Sequence, residues 1–129
     1  MKTPRWLNPR ALLLLHAEAL AEHGGLVGLR DAAAFDSAMA RPQHIFHYEG
    51  RADLPRLAAA YAFGIIQNHP FNDGNKRAGF IAADLFLHLN GYQLQCGDAD
   101  AVQAFFGLAS GMIKEMELVE WIRQNISKR

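Results

Sequence analysis

The sequence predicts an all-α helical bundle, and three observations predict it. Two segments, Leu54 to Asn68 and Gly74 to Asn90, are apolar on nearly every face, a pattern that belongs to helices at the centre of a fold. Residues that start and stop helices recur at helical spacing, with Asn8-Pro9 at one beginning and Gly24-Gly25 and Gly91 at two ends. Only His44 to Gly50 carries the β-branched and aromatic character of an extended stretch. At 129 residues the chain is expected to form a single domain over 1–129, able to bury one core but not two.

The elements follow in order. Asn8 caps and Pro9 opens a first helix whose apolar residues continue to Leu20. A second, shorter helix fits Asp31 to Ala40 and is expected to stop at Pro42. The stretch His44-Ile45-Phe46-His47-Tyr48 is then expected to form a short extended flap or hairpin arm before the central helix pair. After that pair, Asp98 caps a helix to about Ser110, and a last helix from about Glu115 to Ile126 carries Leu118, Val119, Trp121 and Ile122. No repeat or low-complexity tract interrupts them.

Composition narrows the function classes. Thirteen Lys and Arg balance thirteen Asp and Glu, so no global field draws the chain directly to nucleic acid or to a membrane surface. Cys96 is the single cysteine, which excludes an internal disulfide and points to a reducing compartment. A lone cysteine reads first as a small packed side chain rather than a nucleophile. The apolar run Leu12 to Leu15 spans four residues before His16 and Glu18, too short for a signal peptide or a spanning helix. The expectation is a cytoplasmic protein.

Nine residues between the central helices concentrate the chemistry: His69-Pro70-Phe71-Asn72-Asp73-Gly74-Asn75-Lys76-Arg77. Lys76 and Arg77 fall at the start of a helix, where the dipole disfavours cations and free N–H groups attract anions. His69 reads either as a cation stabilising a helix C-terminus or as a general base near neutral pH. Asp73 is either an N-cap or a ligand for Mg²⁺, which takes one or two carboxylates with phosphate oxygens. Gly74 is a turn residue or a place where phosphate approaches backbone N–H groups, and Asn75 is a cap or a phosphate donor. Phe71 reads as a core anchor beneath the loop. Further along, Arg77, Asp84 and His88 are seven and four residues apart and share one helical stripe. A loop held between two central helices is rigid enough for catalysis.

Other metal and nucleotide patterns are missing. There is no pair of histidines four apart on a helix with a glutamate between, no P-loop and no Rossmann fingerprint. His44 and His47 with His69 make a weak metal set without a fourth ligand.

The stretch His69-x-Phe71-x-Asp73-Gly74-Asn75-Lys76-Arg77 resembles the signature of the Fic/Doc superfamily, and Lys76 is similar to the death-on-curing (Doc) toxin branch. Gly28-Leu29-Arg30-Asp31, Ala40-Arg41-Pro42-Gln43 and Leu89-Asn90-Gly91-Tyr92 extend the resemblance over most of the chain. The resemblance implies a compact helical Fic/Doc-like fold with His69 as general base, Asp73 as Mg²⁺ ligand, and Gly74, Asn75 and Arg77 as anion cradle. Asn72 and Lys76 would join the nucleotide contacts, and His44 to Tyr48 would be the flap that registers the protein substrate.

Family members that transfer AMP have glycine where Lys76 stands and commonly arginine where Phe80 stands. The lysine implies transfer of the ATP γ-phosphate instead, by a protein Ser/Thr kinase acting on elongation factor Tu and arresting translation. AMP transfer to a protein hydroxyl and a non-catalytic nucleotide- or antitoxin-binding module are the alternatives. The inhibitory pattern of many Fic proteins, Ser or Thr four residues before Glu, does not fit Ser110 and Glu115, which are five apart. The resemblance therefore implies a separate antitoxin whose C-terminal segment folds onto the toxin.

Overall fold

Asn8 and Pro9 open the first helix of the computed structural model, which describes residues 3–129. In α1 (Pro9–His23) the Asn8 Oδ1 accepts from the Arg10 N–H at 2.9 Å, and Gly24 at φ 84° ends the helix. Leu12, His16 and Leu20, each four apart, form its buried stripe. Asp31 caps α2 (Ala32–Glu49), with Oδ1 accepting from the Ala34 N–H at 3.0 Å.

Helix α2 departs from the sequence expectation. It runs through Pro42, and His44, Ile45, Phe46, His47 and Tyr48 are its last turns, so no extended flap precedes the central pair. Packing explains this. Phe35, Ala38 and Met39, Pro42, Ile45 and Phe46 continue one stripe at three- to four-residue spacing across the proline. Phe46 packs edge-on against Trp6, ring centroids 5.7 Å apart. Pro42 has no N–H for the Ala38 carbonyl, and Gly64 offers no side chain where Ala38 passes, since a Cβ there would lie 3.4 Å from its Cα. Tertiary burial overrides the local break.

The central pair forms as expected. Asp53 caps α3 (Leu54–Asn68), in which ten residues are buried. It packs against α2 and α4 (Asn75–Leu89) along its sides. The α3–α4 crossing is close at Gly79, where a Cβ would lie 2.8 Å from two carbons of Ile66. Beyond α4 come β1 (Tyr92–Leu94), α5 (Asp98–Ser110), α6 (Glu115–Gln124) and β2 (Ile126–Lys128). Asp98 is the first residue of α5 and Gly97 its cap. The last helix stops two residues short of expectation because Asn125 caps it, its Nδ2 donating to the Trp121 carbonyl at 2.7 Å. Ile126 then pairs antiparallel with Leu94 and Tyr92 with Lys128.

Charge ties α2, α3 and α6 together. Glu115 accepts both Arg41 guanidinium nitrogens at 2.7 Å and Arg56 Nη1 at 2.9 Å, and Arg56 Nη2 also holds Glu49 at 2.9 Å. No helix among the described residues is long and apolar enough to cross a membrane.

Candidate active site

The loop between α3 and α4 is held by backbone and side chains on three sides. His69 ends α3 in the left-handed conformation, φ 48° and ψ 54°, which is uncommon for a residue with a side chain. Arg30 holds it there, with Nε 2.8 Å and Nη2 2.5 Å from the His69 carbonyl and Nη2 also 3.0 Å from that of Asn68. A guanidinium is well suited to this place, because the last carbonyls of a helix carry its negative end. The N–H groups of Arg30 and Asp31 donate to the Pro70 carbonyl at 2.7 and 3.1 Å, Leu29 pairs with Phe71, and the Asn72 N–H donates to Gly28 at 3.0 Å. Residues 28–31 thus lie alongside the loop, joined to it by these backbone hydrogen bonds and one antiparallel bridge.

Beneath the loop, Phe71 is buried, stacked on His16 with centroids 3.9 Å apart and set edge-on to Phe35 at 5.7 Å. Phe71 is the core anchor its position predicts. His16 is 1% exposed and lies 2.8 Å from the Asp73 carbonyl through Nε2. A carbonyl only accepts, so Nε2 carries the proton. Burial lowers the His16 pKa, the hydrogen bond to Asp73 opposing it, which agrees with a neutral ring.

Asp73 is exposed, and its Oδ2 accepts from the Leu26 N–H at 2.7 Å. It does not cap α4. That position is Gly74, at φ 73°, which gives no side-chain cap, so the first N–H groups of the helix keep no partner within it. The Asn75 side chain is engaged within the loop. Its Oδ1 accepts from the Phe71 N–H at 2.9 Å and its Nδ2 donates to the Phe71 carbonyl at 3.1 Å, with the same Nδ2 at 3.4 Å from His69 Nδ1. The Asn75 amide braces the loop, which leaves its backbone N–H as the group open to an anion.

His69, Asn72, Asp73, Gly74, Asn75, Lys76 and Arg77 line one cleft of about 900 Å³. Its opposite wall is α5, with Ala101, Val102, Phe105 and Phe106, and Phe80 closes the floor against Phe105. Lys76 reaches across the cleft and holds its Nζ 4.9 Å from the Phe106 ring centroid. The arrangement puts cations and free N–H groups beside a carboxylate and an exposed imidazole. That donor set fits a phosphate chain with a divalent cation.

The flap residues His44 to Tyr48 do not line this cleft, and Tyr48 is 92% exposed at the far end of α2. His44, His47 and His69 form no metal cluster. Among the described residues no group of three or more His, Cys, Asp or Glu is gathered for an ion. Burial, followed by Asp100, Asp84 and Asp98, pushes the Cys96 thiol up, which suits a packed thiol rather than a nucleophile. Sequence reasoning gave His16 no role, and placed Arg30 only within the Gly28-Leu29-Arg30-Asp31 resemblance. The readable signal for His16 was a histidine at the middle of the Leu12 and Leu20 stripe.

Residues 6–87 match the Fic/DOC family, and the chain belongs to it. Toxin Doc of Mycolicibacterium smegmatis (strain ATCC 700084 / mc(2)155) is 45% identical over 74 residues, 55% of this chain and 55% of that protein. The alignment thus spans about half the length of that relative.

Proposed function

We propose that the chain is a Doc-like toxin that acts as a protein kinase, moving the γ-phosphate of ATP onto a hydroxyl of a translation factor. Elongation factor Tu is the target the family resemblance suggests, with arrest of translation as the result. The observation that carries this reading is the single cleft shared by His69, Asp73, Lys76, Arg77 and the uncapped start of α4.

His69 takes the proton from the acceptor hydroxyl as its oxygen bonds to the γ-phosphorus, and the bond to the bridging oxygen breaks so that ADP leaves. Backbone N–H groups of Gly74 and Asn75, with Asn72, Lys76 and Arg77, hold the phosphate oxygens. Asp73 would hold Mg²⁺, which supplies charge neutralisation of the phosphates when bound. To reach them, Lys76 leaves the Phe106 ring, a contact worth only about 0.5–1 kcal/mol at an exposed site. Phe80 supports γ- over α-phosphoryl chemistry, because it gives the cleft an apolar floor where AMP-transferring relatives commonly place an arginine. Restraint would come from a cognate antitoxin with a C-terminal segment that folds on the toxin. The cytoplasm, where ATP and translation factors meet, is the compartment this reading requires.

Purified protein, elongation factor Tu and ATP labelled at the γ or the α phosphorus test the proposal. Label transfers from the γ position only, and His69→Ala abolishes it. Label arriving from the α position would replace the kinase with an AMP transferase, whose activity Lys76→Gly should then raise. A binding module would transfer neither label, and wild type and His69→Ala would affect bacterial growth equally.

A further inference from the structure

We infer that His16 is a positioning residue that locks the Asp73–Gly74 peptide so that its N–H serves the anion site. The inference rests on the functional reading above. The peptide is planar and trans, so its carbonyl and N–H point in opposite directions. The Asp73 carbonyl is drawn to His16 Nε2 at 2.8 Å, and the Gly74 N–H is therefore turned away from the imidazole. Among the described residues no acceptor takes that N–H, and Gly74 lines the cleft. Gly74 at φ 73° has no Cβ to resist rotation of this peptide. A flipped peptide would present a carbonyl to the phosphates instead of a donor.

The lock itself is buried and packed. His16 is 1% exposed, its ring lies on Phe71, and Leu12 and Leu20 bury the same stripe of α1. A Cβ on Gly74 would lie 3.1 Å from His16 Nε2 and 3.0 Å from Leu20 Cδ2, so ring and turn are in close contact. The Leu26 N–H holds the Asp73 carboxylate at 2.7 Å by a separate hydrogen bond. Loss of the His16 donor therefore frees the peptide while the side chain of Asp73 stays tethered.

His16→Phe keeps a ring against Phe71 and removes only the donor, whereas His16→Gln places an amide N–H near the former Nε2. The amide resonance of Gly74 in ¹⁵N-labelled protein, with and without inorganic tripolyphosphate and Mg²⁺, reads the peptide directly. In His16→Phe this resonance moves in the free protein, and tripolyphosphate affinity falls roughly tenfold, the scale of one lost hydrogen bond to a charged group. His16→Gln restores the affinity. An unchanged Gly74 resonance and wild-type affinity in a folded His16→Phe would overturn the inference, as would a loss that Gln does not recover. Should the Phe variant fail to fold, His16→Met carries the same expectation. Wild-type protein that binds no tripolyphosphate would instead sink the functional reading, while the free-state resonance would still decide the role of His16.

Discussion

Arg30 grips the main-chain carbonyl of His69 with two guanidinium nitrogens, at 2.8 and 2.5 Å, and so fixes the residue that carries the candidate base. The backbone there is left-handed, a conformation that needs outside support in a residue with a side chain. Arg30→Ala is expected to lower phosphoryl transfer by roughly tenfold, a displacement effect on the base. Arg30→Lys should not restore it, because one ammonium cannot reproduce the planar fork. Initial rates at saturating ATP check this, and rates equal to wild type would refute it.

Asp73 provides the second test. Asp73→Asn retains an oxygen for the Leu26 N–H but removes the charge that would hold a divalent cation. Transfer should fall roughly a hundredfold or more, with the far-ultraviolet spectrum unchanged. Chelation of divalent ions should stop wild-type transfer, and Mg²⁺ should return it.

Gly79→Ala tests the close crossing beneath the site. Alanine favours a helix over glycine by about 1 kcal/mol, yet its Cβ would meet buried Ile66 at 2.8 Å and the Ala62 carbonyl at 3.3 Å. Overpacking costs about 1–3 kcal/mol and wins. A net loss of up to about 2 kcal/mol is expected in urea unfolding, and a gain in stability would show that the crossing has room to spare.

Asp84 makes a pH prediction. Burial raises its pKa above the ordinary carboxylate value, and His88 only partly opposes this. The folded state thus holds the proton more tightly than the unfolded chain. That contribution to stability is fully present below the unfolded pKa of 3.8 and disappears as pH rises through the higher folded value. Asp84→Asn should accordingly raise the melting temperature at neutral pH, and the gain should vanish in acid. Equal gains at both pH values would assign the effect to packing.

Much of the candidate site was legible because it is contiguous. His69, Asp73, Lys76 and Arg77 sit within nine residues, and the apolar stretches on either side read directly as central helices. The supporting residues are distant in sequence: His16 meets Asp73 across 57 positions and Arg30 meets His69 across 39. No local pattern reports such meetings. Pro42 misled for the opposite reason. A local rule about proline was outweighed by the stripe from Phe35 to Phe46, which was itself visible in the spacing. The bracing of the loop by the Asn75 amide was a third thing out of reach, since a sequence does not show which backbone groups an amide meets. The pairing of Leu94 with Ile126 joins chain segments that only the finished bundle brings together.

The strand-like clamp of residues 28–31 upon the loop has a kinetic meaning. Helices form within microseconds from neighbouring residues, whereas joining partners some forty positions apart must first meet the entropy of closing a long loop. On dilution from denaturant, helical signal should therefore return before catalytic competence. The interval between the two would measure how long the protein exists as a shaped but inert chain.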